Sequence, residues 1–170
     1  LFGRAGEEIA FLRAAGVPVS IVNGISAAFA AAASLGVSLT HRTHCHGITF
    51  VTAHTADHGE PDWATLARSG TTLAIYMGMA RMGSIAAGLL CHLPADTPLA
   101  IVQAASQPDE HRVLITLGEL VDAAAAMQPG QPGVILIGPA LGEASAAAPM
   151  HETVASADSP VPRPAVAIVA

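Results

Sequence analysis

At 170 residues the chain is long enough for one domain, or one domain plus part of another. Its apolar share of 52% is mostly Ala, Val, Leu and Ile with few aromatics, which argues against a disordered chain and suits an α/β core. The net charge of −6, with scattered arginines and no lysine, argues against a nucleic-acid-binding surface.

The chain opens inside a motif. Leu1-Phe2-Gly3-Arg4-Ala5-Gly6-Glu7-Glu8 is a glycine-containing turn that runs into an acidic helix start, with no initiator Met. Such a turn follows a strand, so the expectation is a piece of a longer protein whose preceding half of the turn lies upstream. A helix is expected over Glu7–Ala15, with Ile9, Phe11 and Leu12 on its apolar face and Gly16 as its stop. Its two glutamates sit at the positive end of the helix dipole. Pro18–Val22 reads as a short strand closed by an Asn23-Gly24 turn. Ile25–Leu35 reads as an Ala-rich helix stopped by Gly36.

Strands are expected at Gly47–His54, Thr71–Met77, Leu99–Ala104, Arg112–Thr116 and Val134–Ile137. Helices are expected at Asp62–Arg68, Ala80–His92 and Leu117–Met127, with Pro61 at the start of the first. The strands are apolar runs more than clean alternations, as in a sheet covered by helices on both faces. From Leu141 onward Ala, Ser and Pro dominate, which reads as a disordered tail.

Cys45 and Cys91 have no metal or redox spacing and read as reduced thiols of a cytoplasmic protein. No run reaches the ~18–20 apolar residues needed to span a bilayer, so no membrane partner is expected. His41, His44 and His46 beside Cys45 raise a metal reading, but the segment lacks a fourth ligand at standard spacing. No metal is therefore expected. Trp63 reads as a packing anchor, Met77 alone as core filler, and Ser26 alone as a helix N-cap.

Five segments in order carry more information. They are the opening Leu1–Glu8, Asn23-Gly24-Ile25-Ser26-Ala27, Leu39-Thr40-His41-Arg42, Phe50–His54 and Tyr76-Met77-Gly78, with Asp62-Trp63 to Leu66-Ala67 between the last two. Jointly they resemble the tetrapyrrole methylase family over about residues 1–140, and within it the branch that acts on uroporphyrinogen III. The resemblance implies an α/β fold of two domains with S-adenosylmethionine in the cleft between them. Residues 1–38 would then close the first domain, residues 39–140 form a nearly complete second α/β domain with a mixed sheet, and residues 141–170 form the tail.

The implied activity is two methyl transfers from S-adenosylmethionine to uroporphyrinogen III, giving precorrin-2 on the route to sirohaem and cobalamin, without a metal. The implied full-length enzyme is a homodimer. The resemblance places Leu1, Ser26, Ala27, Met77 and Ala105 at the cofactor, and Arg4 and Arg42 opposite substrate carboxylates. It carries no catalytic residue onto these positions.

Departures from the family pattern are Asn23 for a proline, Ala5 and Ala53 for glycines, a loop at Gln107–Arg112 longer by one residue, and Pro139-Ala140 after Gly138. Two alternatives stand beside this reading. One is a methyltransferase acting on another precorrin. The other is a non-catalytic remnant of the family, motivated by the glycine-to-alanine changes.

Overall fold

The computed structural model describes residues 1–3, 5–54 and 59–146. Arg4 and residues 147–170, which hold most of the expected tail, lie outside the described residues. The chain divides into two compact units between Ser26 and Ala27. That division precedes the boundary expected after Ser38, and the reason is the packing of the Ala-rich helix described below.

The first unit contains helix α1, Ala5–Ala14, with Glu7 and Glu8 in its first turn and Arg13 in its last. It closes with Val17 N–H donating to Leu12 O at 3.0 Å. No residue of α1 is buried, and Phe11 is exposed, against the apolar face expected for it. Pro18–Val22 forms no strand; Ile21 and Val22 are exposed.

The second unit is built on a five-stranded sheet in the order β1-β2-β5-β3-β4. The strands are β1 Ile48–Thr52, β2 Thr72–Tyr76, β3 Pro98–Gln103, β4 His111–Thr116 and β5 Gly133–Ile137. β1 and β2 pair in parallel, and the pairs β2–β5, β5–β3 and β3–β4 are antiparallel. β1, β2 and β3 therefore share one direction, and the sheet is mixed.

Alternation along the strands sorts the core into two layers. Leu73, Ile75, Leu99, Ile101, Ile135 and Ile137 face one side. There they meet Trp63 of α3 (Trp63–Arg68), Met82, Ile85 and Leu89 of α4 (Met82–Leu90), and Leu120 of α5 (Leu120–Ala123). Ala74, Ala100, Val102, Val134 and Leu136 face the other side, against Ala28, Ala31, Ala32 and Leu35 of α2 (Ala27–Leu35).

In the second layer the helix presents chiefly alanine. With little bulk on the helix surface, α2 lies close to the sheet and belongs with it rather than with the first unit. Gly36 then ends the helix at φ +67°, a conformation glycine takes without strain, and Val37 N–H reaches back to Ala32 O at 3.0 Å.

Three expected helices are shorter or interrupted. The run expected over Ala80–His92 begins as a 3₁₀ turn at Met79–Arg81 before α4. The run expected over Leu117–Met127 is a 3₁₀ turn, then α5, then a second 3₁₀ turn at Ala124–Ala126. Its first amides, at Leu117 and Gly118, are drawn outward to the carbonyls of Thr97 and Ala95. The region expected to dissolve at Leu141 instead continues as a 3₁₀ helix, Pro139–Ala146, because Leu141 is buried in the layer beneath α2.

Candidate functional site at the carboxyl edge of the sheet

Tyr76, the last residue of β2, and Val102, near the end of β3, both stand opposite Val134 of β5. Thr52, the last residue of β1, pairs with Tyr76. The carboxyl ends of the three parallel strands therefore open on one edge of the sheet. β2 and β3 are separated there by β5 alone, so their ends lie two strand spacings apart, about 9–10 Å.

Helix α2 begins at the same edge. The Tyr76 hydroxyl accepts from the amide of Ala28 at 2.9 Å. The first amides of a helix have no partner within it, and here one of them is fixed to the end of β2. Phe50 of β1 lies 6.3 Å from the Tyr76 ring, and Phe29 meets Phe50 edge-on at 5.5 Å. Three aromatic rings thus brace the start of α2 over the ends of β1 and β2.

The backbone at this edge is unusual. Met77 has φ +54°, Ala104 φ +50° and Ser106 φ +66°. Such angles cost a non-glycine residue of order 1–3 kcal/mol and gather at functional sites. Met77 is nearly half exposed at 48%, with no apolar burial to account for its choice. Behind it Gly78 has no room for a side chain: a Cβ there would lie 2.9 Å from Ile85 Cδ1 and 3.1 Å from Ile135 Cδ1. The Tyr-Met-Gly run is therefore specified by three different physical demands.

The loop after β3 is held from below by Gln103, a buried polar side chain in an otherwise apolar strand. Its amide nitrogen donates to Gln128 O at 3.0 Å and Gln131 O at 3.2 Å, and its oxygen accepts from Gln128 N–H at 2.9 Å. Ala104 N–H donates to Pro132 O, and Ser106 N–H to Glu110 Oε2 at 2.6 Å. Glu110 in turn pairs with Arg112 at 3.2 Å, and Arg112 Nη1 donates to the carbonyl of Ser34 in α2. The one-residue-longer loop is thus tied down at both ends, with half-buried Ala105 packed against the α2 layer.

Among the residues expected at a cofactor, Ala27, Met77 and Ala105 come together at this edge. Leu1 and Ser26 belong to the first unit: Leu1 is exposed and Ser26 is half-buried directly before α2. Arg4 lies outside the described residues. His54 follows β1 at the same edge, its amide bonded to Thr52 Oγ1.

Arg42 does not join this group. It sits exposed in a turn closed by reciprocal bonds between His41 and Cys45, 2.7 and 3.0 Å. The Cys45 thiol, fully buried, contacts Thr72 Oγ1 at 3.2 Å and accepts from Thr72 N–H at 3.0 Å. Thr72 begins β2, so this turn stands at the amino edge, about 13 Å of strand away from Tyr76. The His41 and His44 rings stack at 4.7 Å, and among the described residues no group of three or more His, Cys, Asp or Glu could hold a metal ion.

Sequence reasoning missed Tyr76 as a tether, Gln103 as a clamp and the positive φ of Ala104. Gln103 had a signal, being polar within Pro98–Gln103. An Ala at positive φ carries none. Neither glycine-to-alanine departure falls at a positive φ. Ala5 is the first residue of α1, and Ala53 is buried in the core without positive φ, its amide bonded to Tyr76 O.

An α/β protein whose strained, exposed residues follow the carboxyl ends of parallel strands, facing a helix start, is of the ligand-binding kind. The comparisons give the family. The model of the tetrapyrrole (corrin/porphyrin) methylases matches residues 1–121, and the chain belongs to that family.

A uroporphyrinogen-III C-methyltransferase of Pseudomonas aeruginosa is 45% identical over 139 residues, 81% of this chain and 57% of that protein. The Thermus thermophilus uroporphyrin-III C-methyl transferase, solved with S-adenyl homocysteine, matches at 35% identity and TM-score 0.71, over 84% of this chain and 63% of that one. A cobalt precorrin-4 methyltransferase of cobalamin biosynthesis matches at 27% identity and TM-score 0.77, over 83% and 60%. The chain therefore spans about three-fifths of the length of these relatives. No helix among the described residues is long and apolar enough to cross a membrane.

Proposed function

We propose that this chain supplies the carboxyl-edge part of an S-adenosylmethionine site in an enzyme that C-methylates uroporphyrinogen III to precorrin-2. The observation that carries the reading is the meeting of three family segments at one edge: the start of α2, the Tyr76-Met77-Gly78 turn and the loop from Ala104. The donor set fits the cofactor. Helix-start amides and the left-handed backbone at Met77 and on either side of Ala105 suit its polar groups, and the Met77 side chain and the Phe29–Phe50 pair offer apolar surface beside them. When bound, S-adenosylmethionine supplies an electrophilic methyl group.

The residues present here bind and orient. Fixing a pyrrole carbon in line with a methyl donor converts a bimolecular step into an effectively unimolecular one, which is where most of such a rate gain arises. Arg42 stands at the amino edge, away from this group, and is a partner for substrate carboxylates by resemblance alone. It is exposed and has no ion pair with a described residue, and a guanidinium pairs well with carboxylate. Ser26 and Leu1 remain cofactor assignments by resemblance. The proposed assembly is a homodimer and the proposed compartment the cytoplasm, both on the same footing.

The fold alone does not choose the substrate, since the precorrin-4 enzyme superposes at the higher TM-score. The higher sequence identity to the uroporphyrinogen-III enzyme supports uroporphyrinogen III. The test is a methyl-transfer assay on the chain completed to the length of its relatives, with uroporphyrinogen III and a precorrin offered side by side. Two methyl groups per uroporphyrinogen III is the expected result. Transfer to the precorrin alone would reassign the substrate, and transfer to neither would support the non-catalytic remnant.

A further inference from the structure

We infer that Tyr76 is a positioning residue for the cofactor site: its hydroxyl holds the start of α2 against the end of β2, so that the two elements face a ligand in one arrangement. The inference rests on the cofactor reading above, and deepens it.

Tyr76 is 48 residues from Ala28 in sequence, yet its hydroxyl accepts from that amide at 2.9 Å. Ala28 is the second residue of α2, and Tyr76 immediately precedes Met77, whose φ is +54°. One side chain therefore spans the two segments that the family reading places on the cofactor. The other ties of α2 to the sheet are the edge-on contact of Phe29 with Phe50, apolar contacts of its alanines and Leu35, and the Arg112 bond to Ser34 near the far end of the helix. Alanine surfaces slide more readily than interlocked large side chains, because they present few ridges. The directional contact that fixes the first turn is thus the Tyr76 hydroxyl.

Tyr76 also occupies one of the amides that would otherwise be open to a ligand. A ligand at this helix start is left the neighbouring amides, which narrows where a polar group can bind. That division is what distinguishes a positioning role from generic support. Removing the hydroxyl while keeping the ring leaves the contact with Phe50, at 6.3 Å, in place.

The test uses the chain completed to the length of its relatives and compares wild type with Tyr76→Phe by titration with S-adenosylhomocysteine, followed by amide NMR. A single neutral hydrogen bond at the site corresponds to a weakening of about 5- to 10-fold in Kd. Ala28 amide exchange is expected to quicken, with Tm lowered by no more than about 2–4 °C.

A control, Ile115→Val in β4 at the amino end of the β3–β4 pair, lowers Tm by a similar amount and should leave Kd unchanged. Equal Kd in wild type and Tyr76→Phe, or equal weakening by Ile115→Val, would overturn the positioning role. Unaltered Ala28 exchange in Tyr76→Phe would overturn it too. Absence of binding by the wild-type chain would overturn the cofactor reading, and the positioning role with it.

Discussion

The two edges of the sheet are built on opposite principles. At the amino edge every demand is met. Cys45 is buried and bonded, Thr72 is buried against it, and Gly138 lies so close to Thr72 that a Cβ would stand 3.2 Å from Thr72 Cα. At the carboxyl edge Met77, Ala104 and Ser106 hold positive φ without being glycine, and Met77 is half exposed. The same strands end in satisfied packing on one side and in maintained strain on the other. Strain that the surrounding structure maintains marks the edge that does something other than fold.

The largest expected effect breaks the amino edge. Gly138→Ala forces an L side chain into φ +149° against Thr72 and should cost about 2–3 kcal/mol in urea unfolding. Affinity for S-adenosylhomocysteine in the remaining folded protein should not change. A loss of affinity would mean that the edges are not independent.

Cys45→Ala comes next. Thr72 N–H keeps its bond to Gly47 O, but Thr72 Oγ1 loses its sulfur contact and the buried thiol leaves a gap, so about 1–2 kcal/mol should be lost, again without effect on binding.

The carboxyl edge should respond with the opposite sign. Met77→Gly and Ala104→Gly remove left-handed strain, and each should hold stability level or raise it by up to about 1 kcal/mol. Met77→Gly should also weaken S-adenosylhomocysteine binding about fivefold through lost apolar contact. Destabilisation by both substitutions would show that the edge is ordinary packing.

The smallest effect is on pH dependence, where each edge of the sheet has one acidic helix start. The Thr65 hydroxyl and amide lower the pKa of Asp62, ahead of α3, from its ordinary 3.8. The Thr116 amide and hydroxyl lower that of Glu119 from 4.5. A depressed folded-state pKa stabilises the fold above the ordinary value, and that stability is lost as pH falls through the lowered one. Urea midpoints should therefore fall as pH drops below about 4, and less steeply in Asp62→Asn/Glu119→Gln. An unchanged slope in the double variant would remove these caps from the account.

Much of the fold was legible because Leu73–Ile75, Leu99–Val102 and Val134–Ile137 are short unbroken apolar runs between helical stretches, as a strand buried on both faces requires. Element ends were less legible. Leu117–Met127 reads as one helix, but its first amides are claimed by Thr97 and Ala95 from elsewhere in the chain. Pro18–Val22 has strand composition yet forms no strand, Val22 alone making an isolated β-bridge.

At the site, Met77 and Ala105 could be named only through their family segments. The positive φ of Ala104 and the reach of Tyr76 across 48 residues follow from tertiary structure that no local pattern encodes.

The central claim is that the carboxyl edge, and not the amino edge, receives the cofactor. Amide chemical-shift mapping of the chain with S-adenosylhomocysteine tests it most directly. The account predicts shifts at Ala27, Met77 and Ala105 and none at His41–Cys45. Shifts confined to the His41–Cys45 turn, or absent from the strand ends, would contradict it.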